Sequence, residues 1–535
     1  MRPLSRPSPM RRRAVPAQLQ KQLRPTIVPA PIKGWRSDRG QATEQPGAAT
    51  KIVNWVCESN AVRMRRGYAS HATGLGDIVE TLMVYTSGAA SKMFGAADDS
   101  IFEVTTAGAV GSAAVGSLNS ARWSWTNHQT TGGQFLVIAN GVDAIRQYNG
   151  SAWSAPTITD ADGGTFTEED MIYVWAHKKR LWFIQKTSMK AWYLPVDTIA
   201  GAATSFIIGS LFPRGGRLVA GATWSVDSGN GMDDLNVFLT SEGEVAIYSM
   251  SDPSDPSTLN LVGVYYVGRP IGDRPFFKIG GELMVITYSG VIPLSKVFKV
   301  DQATLDIAAI TNPVRDDYAK MAQSYGALSG WQMVTYPNSN IGIVNIPVSA
   351  DSRYEQFVVN LQSGAWSQWK SIPAVCWALF GENIYFGAPD GKVYKAETGS
   401  QDNGQSITAE LVTWFSQHGQ PARKKLIRHV RPNVQSNQRS SGTVHVIRDF
   451  ESPESSVDDS AAITAGGAFT WGVSTWGGPD VWGGLSTVKN WRKGGNLGTA
   501  LAIQHIITSQ TSAATVDLVY RVYNYDVTME SAGIM

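Results

Sequence analysis

Several things are scarce in this 535-residue chain, and each scarcity excludes a class of protein. Only two cysteines occur, Cys57 and Cys376, far apart in sequence, so neither a disulfide framework nor a thiolate metal site is expected. Two buried free thiols fit better. Charged residues are 17% of the chain, well under the roughly 25% of an average soluble protein. No uncharged apolar run reaches about 18 residues, so no membrane span is expected. Arg11, Arg12 and Arg13 mimic the start of a secretion signal, but no apolar segment follows them. Sustained helical periodicity is nearly missing; the stretch from Asp316, DDYAKMAQSYGALSGW, is the best helix candidate. Catalytic signatures are missing too: there is no phosphate-binding glycine loop, no GxSxG elbow, no HExxH and no dinucleotide fingerprint. The seven histidines are scattered, and the pair His429 and His445 falls on separate predicted strands, so no metal and no cofactor is expected.

Aromatic residues and glycine are abundant: 18 Trp, 18 Tyr, 17 Phe and 53 Gly. With 43% hydrophobic residues, the chain can bury a large core. The net charge of +2 hides an asymmetry. Residues 1–40 carry ten Lys or Arg and one acid, Asp38, giving +9; the other 495 residues carry 36 bases and 43 acids, giving −7. A basic arm is thus joined to a mildly acidic body. Residues 1–33 hold seven prolines and no acid, too few apolar groups to offset ordering entropy alone. The arm is expected to lie on its own body or on a neighbouring chain. Its basic residues Arg11, Arg12, Arg13, Lys21 and Arg24 are candidate partner contacts, favoured over nucleic-acid contacts and a plain solvated tail because the arm is Pro-rich rather than Lys-rich; no aromatic precedes Trp35 to stack on bases.

A unit of apolar strand, polar turn and second strand recurs between about 85 and 400. It starts at Lys92, Gln134, Arg180, Leu235, Glu282, Glu355 and Glu382, with spacings of 42, 46, 55, 47, 73 and 27 residues. Periods of about 40–50 residues belong to β-propeller blades, which protect strand edges by radial closure. Glu242-Gly243 and Asp390-Gly391 supply the positive φ that tight hairpins need. The expected fold is all-β: an extended arm over 1–33, a propeller of six or seven blades over 34–400, and a β-sandwich-like domain over 401–535. The last contains a Gly-rich stretch with Trp471, Trp476, Trp482 and Trp491, candidate interface aromatics because Trp offers a large contact area with a polar handle.

Propellers also host glycosidases, which need paired carboxylates. Glu168, Glu169 and Asp170 are consecutive, Asp233 and Asp234 precede a strand, and residues 225–229, SVDSG, resemble one sialidase Asp-box. A single such turn is expected to be a polar turn bonding its own backbone. A glycan-binding or glycan-hydrolysing propeller of a phage tail is the alternative reading, with catalytic residues unassigned.

Two stretches resemble a known family. APIKGWRSDRG (30–40) and NWVCESNAVRMRRGYASHATGLG (54–76) resemble the opening of tail nozzle proteins, also called tail tubular protein B or tail hub, of short-tailed bacteriophages. Matching positions are Pro31, Gly34, Trp35, Arg39, Asn54, Trp55, Val62, Arg63, Arg66 and Gly67. VTMESAGIM at 527–535 resembles the family's closing strand. The resemblance implies a non-enzymatic virion protein, assembled in the host cytoplasm as a hexameric ring. That ring would lie below portal and adaptor and pass double-stranded DNA during ejection, with tail fibres as further partners. Residues 1–29 are longer and more basic than the family motif requires.

Overall fold

The structure, a computed structural model, describes residues 25–227, 232–255, 257–298, 304–350, 352–421, 423–437, 440–452, 461–465, 486–488, 491–509 and 517–534. The chain is all-β with a β-propeller at its centre. Five sheets stand alone as blades. They comprise Val79–Tyr85 to Ser100–Glu103; Ser124–Thr130 to Trp153–Ser154; Met171–His177 to Gly201–Ile207, with Ile158–Asp160 at the edge; Leu218–Asp227 to Leu259–Tyr266; and Phe276–Ile279 to Gly290–Pro293. The strands are apolar on both faces because each blade is packed from both sides; Leu136, Val137, Ile138 and Ala139 are all buried. Met83 and Phe94 of the first blade meet Trp123 and Leu136 of the second, and Val237 and Leu239 of the fourth meet Val285 and Ile292 of the fifth.

The propeller has five blades, not the six or seven that the repeat predicts. The units beginning at Glu355 and Glu382 do not form separate sheets. The meander Gln332–Tyr336 to Trp366–Trp369 runs on, through Ala49–Val53, into a nine-stranded sheet. The meander Cys376–Phe380 to Lys392–Ala396 pairs with Tyr68–Thr73 in a seven-stranded one. The second meander packs on the propeller: Cys376, Ala378 and Tyr385 share a core with Val79 and Leu82 of the first blade. Hairpin chemistry follows the sequence. Gly243 has φ 83° and Gly391 φ 70°, and a Cβ on Gly243 would sit 2.3 Å from the Gly268 backbone. The predicted helix is present as Arg315–Tyr325.

The nine-stranded sheet continues through Thr408–Thr413, Leu501–Ser509, Ser440–Arg448 and Ala461–Ala465. An eight-stranded sheet is built on the long pair Arg423–Ser436 and Tyr520–Ile534. One hydrophobic core holds residues of both, Leu411 and Ile503 from the first with Val430, Val434, Val522 and Val527 from the second. His505 links them: its Nδ1 and Nε2 lie 2.9 and 3.1 Å from the hydroxyls of Tyr525 and Tyr520. Both cysteines are free and buried, and burial pushes the thiol pKa of Cys57 up to about 12 and of Cys376 up to about 11. Among the described residues, no helix is long and apolar enough to cross a membrane.

Candidate functional site

Of the residues carrying the family motif, Asn54, Trp55, Val62, Arg63, Arg66 and Gly67 converge on one junction. The chain passes from Ala49–Val53 in the nine-stranded sheet to Trp55–Cys57 in the eight-stranded one, and it turns at Asn54, whose φ is 61°. Asn tolerates that left-handed conformation better than most residues. Its side chain makes three bonds: Nδ2 donates to the Thr408 carbonyl (2.7 Å), while Oδ1 accepts from the Lys370 amide (2.9 Å) and Arg65 Nε (2.9 Å). Asn54 thereby touches the C-terminal strands, the propeller meander and its own hairpin.

Arg65, missed by the sequence reading, is the centre of the network. It is fully buried. Nη1 donates to Asp402 Oδ1 (2.8 Å) and the Arg66 carbonyl (3.0 Å), and Nη2 to Asp402 Oδ2 (2.6 Å) and the Lys370 carbonyl (3.1 Å). With Nε on Asn54, all five guanidinium donors have acceptors, and the carboxylate is gripped bidentately. Arg63 donates to Glu58 (3.1 Å) and Glu397 (3.0 Å). Burial opposes its charge, but Glu397 and Glu58 outweigh that effect and raise its pKa. The Arg66 amide donates to Glu397 (3.0 Å) and its guanidinium pairs with Asp517 (2.9 Å). Glu58 also accepts from Arg521 Nε of the closing strand (2.9 Å). Gly67 has no room for a side chain, since a Cβ would lie 1.8 Å from the Gln401 carbonyl. Trp55 is fully buried, its carbonyl accepting from Trp369 Nε1 (3.2 Å).

Trp35 anchors the earlier part of the motif. Its amide donates to the Trp366 carbonyl (2.7 Å) and its ring meets Phe357 edge-on at 5.0 Å. These two rings, with Ile52 and Met321, line an open cleft of about 250 Å³ rimmed by Lys51, Lys320 and Asp317. The closing strand joins the same assembly: Val62 and Arg63 pair with Val522 and Arg521, and Pro25–Pro29 runs antiparallel along Asn524 to Thr528. The end of the arm thus lies on its own body.

The other nominated residues are dispersed. Arg11, Arg12, Arg13, Lys21 and Arg24 lie outside the described residues, as do Trp471, Trp476 and Trp482. Trp491 is 38% exposed, and its ring stacks on the Arg431 guanidinium at 4.7 Å, which in turn binds Asp526. In the glycan candidates, Ser225 Oγ donates to Asp234 (2.5 Å) and Asp170 pairs with Lys186 (2.9 Å), each within its own blade. Burial raises the pKa of Glu168. Ser228 and Gly229 lie outside the described residues. His429 and His445 sit in different sheets, and no group of three metal-ligating side chains occurs among the described residues.

One further residue, outside the motifs, joins separate blades. Arg274, just before the fifth blade, reaches Thr81 Oγ1 (2.7 Å) and the Glu80 carbonyl (3.3 Å) of the first blade and the Trp123 carbonyl (3.3 Å) at the second. It ties the fifth blade to the first two.

No family model matches the chain, and no curated protein matches it. Solved structures that align with it include BBS1N in complex with ARL6DN, at 10% identity and TM-score 0.38, covering 62% of this chain and 98% of that one. YCF48 bound to D1 peptide aligns at 8% and 0.34, covering 64% and 97%. A glycoside hydrolase family 43 arabinoxylan arabinofuranohydrolase from Bacillus subtilis aligns at 12% and 0.25, covering 90% and 96%. Likeness at this level bears on fold alone and adds nothing to the functional reading. The class that fold and site define is a β-propeller protein whose ends are clamped together by a buried ion network.

Proposed function

We propose that this chain is a structural subunit of a short-tailed bacteriophage virion: the tail nozzle, a ring of six copies that continues the DNA ejection channel below portal and adaptor. The observation that carries the reading is the junction. The stretch at 54–76 pairs, through Val62 and Arg63, with Val522 and Arg521 of the closing strand that also carries residues 527–534, and ion pairs tie it to Arg521 through Glu58 and, through Arg65, to Asp402 just beyond the last meander. A subunit that bears axial load during ejection needs its ends and its propeller to move as one piece, and buried bidentate ion pairs provide stiffness of that kind. The two packed sheets of the C-terminal region then act as a sandwich-like body, and Trp491 with Arg431 belongs to the residue types that dominate interfaces. The acidic body favours passage of DNA without sticking, through like-charge repulsion in the shared lumen.

The test is single-particle imaging of the purified chain mixed with its adaptor. A sixfold ring docked on the adaptor supports the proposal. A monodisperse monomer that never engages an adaptor ring refutes it.

A further inference from the structure

The strand Arg423–Ser436 has Tyr520–Ile534 along one side and the short strands Arg492–Lys493 and Leu497–Gly498 along the other. One of its faces enters the core through Ile427, Val430 and Val434. The opposite face meets solvent, and its side chains stand in rows across three strands. His429 stands between Thr528 and Lys493, and Leu426 between Glu530 and Leu497. Beside them the Trp491 ring stacks on the Arg431 guanidinium (4.7 Å). The register slips between Ile427 and His429. That bulge adds Arg428 to the outer face, where it meets Glu530 (2.7 Å).

This face is a basic patch on an acidic body. Arg423, Lys424, Arg428 and Lys493 are exposed, as are His429 and Trp491. Glu530 pairs with Arg428 and Asp526 with Arg431, so with Arg431 five cations meet two carboxylates, whereas the chain beyond residue 40 carries −7 overall. From Lys424 to Arg431 the line of charge is about 20 Å long at roughly 3.3 Å per residue. Cations and an exposed indole on a sheet face suit a single nucleic-acid strand: phosphates take the cations, and an unstacked base lies on the ring. A duplex keeps its bases paired inside and offers the indole none.

We infer that this face binds single-stranded nucleic acid, with backbone phosphates on Lys424, Arg428 and Lys493 and a base against Trp491. Arg431 supports the indole from one side, its own charge held by Asp526 (2.8 Å), and the ring remains 38% exposed. Stacking and phosphate contacts read no particular sequence, so affinity should depend on salt and on the presence of bases rather than on their order. The face takes single strands and is independent of the nozzle reading, which concerns passage of a duplex.

The experiment is fluorescence anisotropy of the full chain with a labelled oligothymidylate of about ten nucleotides, at rising salt. Three phosphates at about 0.7 each give an expected slope of about −2 for log affinity against log salt. Trp491→Ala should weaken binding about tenfold. Trp491→Phe keeps a ring and should hold most of the affinity, which separates stacking from loss of fold. Lys424→Glu with Lys493→Glu should weaken binding and flatten the salt slope. An abasic oligomer of the same length presents the same phosphates and should bind the native chain about tenfold more weakly than the oligothymidylate. Equal binding of the two oligomers, Trp491→Ala equal to the native chain, or no binding at low salt would overturn the inference. Salt-sensitive self-association that the double lysine variant loses, with no oligomer bound, would put an acidic surface of a second copy on this face and overturn it as well.

Discussion

Asp402→Asn is the substitution that the junction resists most. It keeps the shape of the side chain and removes its charge. Arg65 is then a fully buried cation without a counter-ion, and one of the two fork bonds to residue 402 meets an amide donor instead of an acceptor. Breaking a buried ion pair on one side costs about 3–5 kcal/mol. At 1.4 kcal/mol per tenfold, local opening of the junction should become about a hundred to a few thousand times more frequent. Hydrogen exchange read on peptides covering residues 54–67 and 397–402 measures this directly, because the Asn54, Arg65 and Arg66 amides are all bonded within the junction. The double variant Arg65→Met with Asp402→Leu removes both charges and should recover most of the loss. Arg65→Lys should behave like the single variant, since an ammonium cannot serve five acceptors in a plane. Exchange in Asp402→Asn within threefold of the native chain would refute the reasoning.

Three further outcomes follow from the same coordinates. Gly67→Ala should cost about 3 kcal/mol or more, because its Cβ would lie 1.8 Å from the Gln401 carbonyl; a soluble yield and melting temperature equal to the native chain would contradict this. Burial holds the pKa of His505 down at about 3 and of His177 at about 4, against 6.5 for a free imidazole. The unfolded chain therefore takes up protons first as pH falls. The stability these residues contribute is present above pH 6.5 and drains away from there toward pH 4 and then 3, with about 2 kcal/mol lost per histidine between pH 7 and 5; urea titrations at pH 7, 6 and 5 with equal midpoints would count against it. Arg274→Met should loosen the propeller by about 1–3 kcal/mol, removing the guanidinium bonds to the Thr81 hydroxyl and to the Glu80 and Trp123 carbonyls, read as faster exchange in residues 79–85.

The legibility of this fold in its sequence was uneven, for physical reasons. Hairpins announced themselves through local chemistry, since Gly243 and Gly391 both require positive φ. The last two propeller units looked like the first five because a strand's pattern reports only that its faces are buried. What continues its edge is non-local, so the merging of Trp366–Trp369 with Ala49–Val53 left no trace in either segment. The junction was half legible. Asn54, Arg63, Arg66 and Gly67 were singled out by resemblance, yet Arg65 was passed over although it is the most enclosed of the three arginines. A run such as VRMRRG looks like a solvated face until carboxylates more than 330 positions away, Glu397 and Asp402, are brought against it. The helix candidate from Asp316 is present as Arg315–Tyr325 and ends before the Gly326–Trp331 part of that stretch.

The most direct measurement of the central claim is a cryo-EM reconstruction of the tail assembled with this chain. The account predicts sixfold symmetry, an axial lumen enclosed by copies of the chain rather than by one propeller, and Arg11, Arg12 and Arg13 in contact with a neighbouring copy or the component above. A particle whose copies show no rotational ring, with those arginines against their own body, would contradict it.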